Sequence, residues 1–215
     1  MSMTLLDDLQ KAIVTYAAED ASRLAARIVK DGIDPLEALD RMTLGIRQVG
    51  DGFNKGELWL PDLIRASEAF QAALPILMEE LTRSGKERKS SGVVVIGTVF
   101  GDIHNIGKDM VATLLVADGF VVHDLGVNVT AERFIAAIRE YNADLLAMSA
   151  LLSITAAEQK KVIADLKRTG VRDTVRVMVG GGAITQEFAD SIGADGYAAT
   201  APMATALART LLDHR

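Results

Sequence analysis

An acid and an imidazole two positions apart, flanked by glycines, make the most chemically loaded stretch of the chain: Gly101-Asp102-Ile103-His104-Asn105-Ile106-Gly107. A carboxylate that accepts one ring N–H fixes the tautomer and leaves the other nitrogen free for a metal or a proton. Gly107 removes a side chain where a flat ligand or a phosphate would approach the following helix. Two other stretches share this character. Ser149-Ala150-Leu151-Leu152-Ser153-Ile154-Thr155 is rich in hydroxyls, and Gly180-Gly181-Gly182 opens a narrow channel. Each has a plainer explanation when taken alone. A loop histidine is commonly solvated, and a glycine run commonly makes only a turn. One imidazole is also an incomplete metal site unless a cofactor supplies the other ligands, as a macrocycle does.

The elements that must position these residues are legible in the pattern of apolar side chains. From Gly92 the chain carries short β-branched runs, SGVVVIGTV, GFVVHDLG, ADLLAMSA, VRVMVGGG and ADGYAA. Helical stretches lie between and after them, at 106–118, 131–141, 156–168, 185–191 and 202–213. Strand and helix in strict alternation predict a Rossmann-like, flavodoxin-like α/β domain: a five-stranded parallel sheet with helices on both faces. Ligands of such sheets bind beyond the carboxyl ends of strands, where chain order reverses. The three stretches fall in the loops after the predicted first, third and fourth strands.

Residues 1–85 carry helical periodicity instead. Leu5, Leu6, Leu9, Ile13 and Tyr16 recur at helical spacing, as do Leu24 with Ile28, and Leu36, Leu39, Met42 and Ile46. Asp34-Pro35 reads as a helix start. A last helix is expected from near Pro61 to about Leu81, with Pro75 as a candidate kink. The expectation is an N-terminal four-helix bundle over 1–85, a linker at 86–91 and the α/β domain over 92–215.

Composition narrows the function classes. The net charge of −6 is shared evenly about residue 90, and the one basic cluster, Lys86, Arg88 and Lys89, reads as a solvated linker. A nucleic-acid partner is therefore not expected. The absence of cysteine rules out disulfides, thiolate zinc sites and Cys-ligated clusters within the chain. No apolar run approaches the length of a membrane span, and the N-terminal MSMTLLDDLQKA lacks the basic and apolar regions of a secretory signal. A cytoplasmic protein with no membrane partner is the expectation.

Asp102-x-His104-x-x-Gly107, then Ser149-x-Leu151, then Gly181-Gly182, resembles the signature of cobalamin-binding domains, with 41 residues between Gly107 and Ser149. VGDGFNKGELWLPDLIRASEAF is similar to the helical cap that precedes this domain in corrinoid proteins. The likeness covers nearly the whole chain. It is strongest to the stand-alone corrinoid proteins of methanol, methylamine, betaine and O-demethylation methyltransferase systems, and extends to the cobalamin module of methionine synthase. The resemblance implies a methyl carrier, cycling between Co(I) corrinoid and methylcobalamin, rather than a complete enzyme. His104 would displace the cofactor's benzimidazole and bind cobalt from below, Asp102 would hydrogen-bond the far nitrogen of His104, and Thr155 would bond Asp102. Ile103 belongs to the same cofactor-binding loop. Gly107 would let the nucleotide tail pass, Ser149, Leu151 and Ser153 would line its slot, and Gly181 and Gly182 would flank the benzimidazole. Implied partners are a substrate-specific methyltransferase, an acceptor methyltransferase and a reductive activator of Co(II).

Two other functions fit parts of the pattern. Cobalamin-dependent sensors, responsive to light or ligand, share the helical cap, but they carry a Glu-His pair where Ala69-Phe70 follows Trp59 here. The small subunit of an adenosylcobalamin mutase would not need the cap. Trp59, Leu60 and Leu63 are either a cover for the upper corrin face or bundle core. His123 is expected in an exposed loop and His214 in a disordered tail. Met42, Met78, Met110 and Met148 are expected to fill cores.

Overall fold

The computed structural model describes residues 4–86 and 88–213. The chain divides into two units, Met1–Lys89 and Ser90–Arg215, each with its own core.

The first unit is a four-helix bundle: α1 Leu5–Val14, α2 Ala18–Lys30, α3 Pro35–Asn54 and α4 Leu60–Ser84. Thr4 starts α1 by accepting the Asp7 N–H while Asp7 reaches back to Thr4, and Asp34 caps α3 with Pro35 in its first turn. Leu9, Ile13, Ile28, Leu39, Met42, Ile46, Leu63, Phe70 and Leu77 are fully or almost fully buried, on the faces their spacing predicts. Tyr16 falls outside α1, in a left-handed conformation at φ 64°. Helix α4 runs without a break through Pro75.

The second unit has five parallel strands, β1 Val93–Thr98, β2 Val121–Asp124, β3 Leu145–Ser149, β4 Arg176–Gly180 and β5 Gly196–Tyr197, in the order β2-β1-β3-β4-β5. The helices are α5 Ile106–Ala117, α6 Ala131–Tyr141, α7 Ser153–Arg168, α8 Gln186–Ile192 and α9 Ala201–Asp213. Strand side chains alternate between two cores, because successive residues of a strand face opposite ways. Val95, Leu146, Met148, Val177 and Val179 pack with α6, α7 and α8, whereas Val94, Ile96, Leu145, Ala147 and Met178 pack with α5 and α9. Gly97 is required for one of these packings, since a Cβ there would stand 2.8 Å from the Phe134 ring. The chain leaves β1 toward β2 and then crosses to β3 on the other side, so the reversal of order lies between β1 and β3. Among the described residues no helix is long and apolar enough to cross a membrane.

Candidate functional site

Beyond β1 the backbone is held by bonds that leave the loop little freedom. Gly101, at φ 78°, donates its N–H to Asn128 Oδ1 at 2.8 Å. Asn128, itself left-handed at φ 57°, donates its N–H to the Asp102 carbonyl at 2.9 Å. The Thr98 hydroxyl, at the end of β1, donates to the His104 carbonyl at 3.0 Å. The loop after β2 and the end of β1 thus grip both sides of the Asp102–His104 segment.

Asp102 is 1% exposed and its carboxylate takes four hydrogen bonds. Oδ1 accepts from the His104 backbone N–H at 3.0 Å and from His104 Nδ1 at 2.7 Å. Oδ2 accepts from the Leu151 N–H at 2.8 Å and from the Thr155 hydroxyl at 2.7 Å. The last two donors come from the loop after β3 and the first turn of α7, so Asp102 bridges the point where strand order reverses. Burial alone would push its pKa up, but the bonds from Thr155, His104 and Leu151 outweigh it and hold the carboxyl well below the usual range. An ionised carboxylate only accepts, so Nδ1 must carry the ring proton. Nε2 then keeps its lone pair, on a side chain that is 49% exposed.

The loops at this edge carry exposed apolar side chains. Ile103 is 74% and Ile154 80% exposed, and Phe100, Ile106, Leu151 and Leu152 are exposed as well, all on the loops after β1 and β3 or the first turns that follow them. Gly107 lies in the first turn of α5, and a Cβ added there meets nothing within 4 Å. Ser149 ends β3 half-buried, its carbonyl accepting the Val99 N–H at 3.0 Å, and Ser153 opens α7 exposed. Gly181 and Gly182 run against the loop after β3. At Gly181, φ 123°, a Cβ would stand 1.9 Å from the Ala150 carbonyl oxygen, and at Gly182 it would stand 2.8 Å from Leu151 Cδ1. The expected site residues Asp102, Ile103, His104, Gly107, Ser149, Leu151, Ser153, Thr155, Gly181 and Gly182 therefore all lie at the last residue of β3, in the carboxyl-end loops of β1, β3 and β4 or in the first helical turns after them.

Three residues of this edge are not anticipated from the sequence. Lys108 is buried, and its ammonium pairs with Asp109 and with Asp124 at the end of β2. Asn128 holds Gly101, as above. Gln159 is fully buried one turn beyond Thr155, donating from Nε2 to the Met148 carbonyl at 3.1 Å and the Gly180 carbonyl at 3.2 Å. The signal for Lys108 and Gln159 is phase. Lys108 shares a helix face with Leu115, and Gln159 shares one with Ala156, Ile163 and Leu166, so each is a polar residue at a core position.

The structure sorts the remaining candidate residues. Leu63 is core, but Trp59 is 74% exposed and Leu60 is exposed too, so those two are not bundle filling. Trp59 precedes α4, and its N–H donates to Asp62 Oδ2 at 2.7 Å. Met42, Met110 and Met148 are buried, whereas Met78 is exposed. His123 lies within β2, half-buried, stacked on Tyr141 with ring centroids 3.6 Å apart, rather than in an exposed loop. His214 lies outside the described residues.

Comparison with known proteins identifies the family. Two family profiles, both described as "B12 binding domain", match residues 92–206 and residues 5–78. The chain is 40% identical over 205 residues to the trimethylamine corrinoid protein of Methanosarcina barkeri, covering 95% of this chain and 94% of that one. It is 42% identical over 209 residues to dimethylamine corrinoid protein 2 of Methanosarcina acetivorans, covering 97% and 96%. The methanol:cobalamin methyltransferase complex of Methanosarcina barkeri superposes with a TM-score of 0.83 at 29% identity, covering 98% of this chain and 80% of that one. With both profiles matched and these relatives aligned over almost their whole length, the chain belongs to the cobalamin-binding corrinoid proteins.

Proposed function

We propose that this corrinoid protein carries a methyl group on its cobalamin, taking it from a substrate-specific methyltransferase and passing it to an acceptor methyltransferase, with His104 as the lower axial ligand of cobalt. When bound, the cobalamin supplies a cobalt centre that takes up and releases the methyl group. The observation that carries the reading is the half-exposed His104, its Nδ1 tied to a buried carboxylate and its Nε2 free, at a sheet edge whose loops carry exposed apolar side chains.

The residues present fit such a cofactor. A single imidazole suits a metal whose equatorial positions a macrocycle fills, and Asp102 fixes the tautomer that ligation requires. Ile103, Ile106, Leu151 and Ile154 offer an apolar seat for a wide flat ring. The open space before Gly107 gives a substituent of the ring a way past α5, and a Cβ would intrude on it. Ser149, Leu151 and Ser153, with Gly181 and Gly182, supply the walls of the tail slot in this reading. The methyl-donor and acceptor roles rest on kinship, since relatives are named as trimethylamine and dimethylamine corrinoid proteins and one solved relative is a methanol:cobalamin methyltransferase complex. A carrier of this kind also requires a reductive activator that rescues Co(II).

The test is paramagnetic resonance of the Co(II) form. Protein made with ¹⁵N-histidine should change the nitrogen splitting of the cobalt signal from a triplet to a doublet pattern, and His104→Ala should abolish it. A splitting indifferent to the label would remove His104 from the coordination sphere.

A further inference from the structure

Lys108 buries a positive charge where an apolar side chain would cost less. It is 3% exposed, in the first turn of α5, on the helix face of Leu115 that packs against the sheet. Its ammonium pairs with Asp109 in the same turn and with Asp124, the last residue of β2. Breaking a buried ion pair is costly, yet replacing the whole pair by apolar groups is often neutral or stabilising. Stability alone therefore does not account for a lysine here.

The bonds that leave Asp124 lead back to His104. Asp124 Oδ1 accepts the Gly126 N–H at 2.8 Å, and the Gly126 carbonyl accepts the Thr98 N–H at 2.9 Å. The Thr98 side chain, fully buried, in turn holds the His104 carbonyl through its hydroxyl. Lys108 follows His104 by four positions, so these bonds and the backbone between them close a ring. The loop after β2 also carries Asn128, whose two bonds grip Gly101 and Asp102. On the helix side, Asn105 Nδ2 donates to Asp109 Oδ2 at 2.8 Å, which ties the residue after His104 to the same charge cluster. Within the ring, the Lys108–Asp124 pair is the link between α5 and the end of β2. We infer that Lys108 is a positioning residue for His104: its buried ammonium fastens the first turn of α5 to the loop that grips the Asp102–His104 segment, so the imidazole stands in one place before a cofactor binds. This inference rests on the reading of His104 as the cobalt ligand.

Lys108→Met keeps the length of the stem and removes the charge. In the apoprotein, ¹⁵N relaxation should show the amides of 101–104 and 126–128 gaining motion while those of β3 keep their rigidity. Loop amides as rigid as in the wild type would overturn the inference, as would motion that spreads equally to β3. Spectrophotometric titrations with cobalamin in two backgrounds then test the link to the ligand. Lys108→Met should weaken binding about tenfold where His104 is present, and less than about threefold in His104→Ala protein, because the two changes act on one interaction. An equal loss in both backgrounds, or no loss in either, would overturn the inference alone. A His104→Ala protein whose Co(II) resonance matches the wild type would remove His104 from cobalt, and this inference would fall with that reading. Asp124→Ala cuts the same link from the exposed side and must reproduce both patterns. It decides the question if Lys108→Met does not fold.

Discussion

Asp102 is one carboxylate serving four donors, and that arithmetic governs what its replacement does. In Asp102→Asn the single oxygen can satisfy the donors on one side, but the new NH2 group faces donors on the other. The apoprotein should lose about 2 kcal/mol, measured as a lower urea midpoint. The pH dependence has a definite sign. The carboxyl is held below its ordinary value in the folded protein, so its share of stability is present above the unfolded pKa of about 4 and is lost as pH falls toward the depressed folded value. The gap between wild type and variant should be widest near neutrality and close as the solution is acidified below about pH 4. A constant gap would mean that Asp102 is not ionised in the fold. At this scale the sequence was partly transparent. Two polar residues as close in sequence as Asp102 and His104 announce their own pairing. The bond from the Leu151 N–H could not be read, because backbone direction leaves no mark on residue type. Thr155 became a partner only through kinship, being 53 positions from the carboxylate it bonds.

The glycines of the second unit show that one residue type does opposite work in different elements. Gly181 sits at φ 123° with a carbonyl where its Cβ would go, so Gly181→Ala must move backbone between the ends of β3 and β4. It should lower the melting temperature of the apoprotein and its cobalamin affinity together. Gly107 is in helical conformation with open space before it. Gly107→Ala should leave the apoprotein as stable or raise it by up to about 1 kcal/mol through helix propensity, while weakening cobalamin binding. Calorimetry with ligand titration on both variants separates the cases, and a Gly107→Ala protein with undiminished affinity would remove that glycine from the cofactor's path. Most elements were readable because strands and helices declare themselves by period. Their ends were less so. Ile154 and Thr155 look like loop because β-branched residues favour helices weakly. Yet α7 begins at Ser153, where the Thr155 hydroxyl accepts the Leu152 N–H at 3.3 Å and ties down the first turn. The run at 194–199 yields only two paired residues, Gly196 and Tyr197, in β5.

The molecule as a whole is two units with separate cores, and every hydrogen bond of the Asp102 cluster lies within Ser90–Arg215. We expect a chain lacking residues 1–85 to fold and bind cobalamin. If the helical unit acts as a cap, as its likeness to the cap of corrinoid proteins implies, that truncation should speed photolysis and oxidation of the bound cofactor, followed by its absorption spectrum. Unchanged rates would assign the bundle another task. The sheet's margins carry a different consequence. One border strand has four residues and the other two, fewer than the five or six of an ordinary strand. A ribbon of foreign chain has too little backbone to grip on either border, so self-association by strand pairing is disfavoured. A partner protein is likewise steered to recognise side chains on loops and helices, which would suit the carrier role proposed above, where each partner must be released in turn.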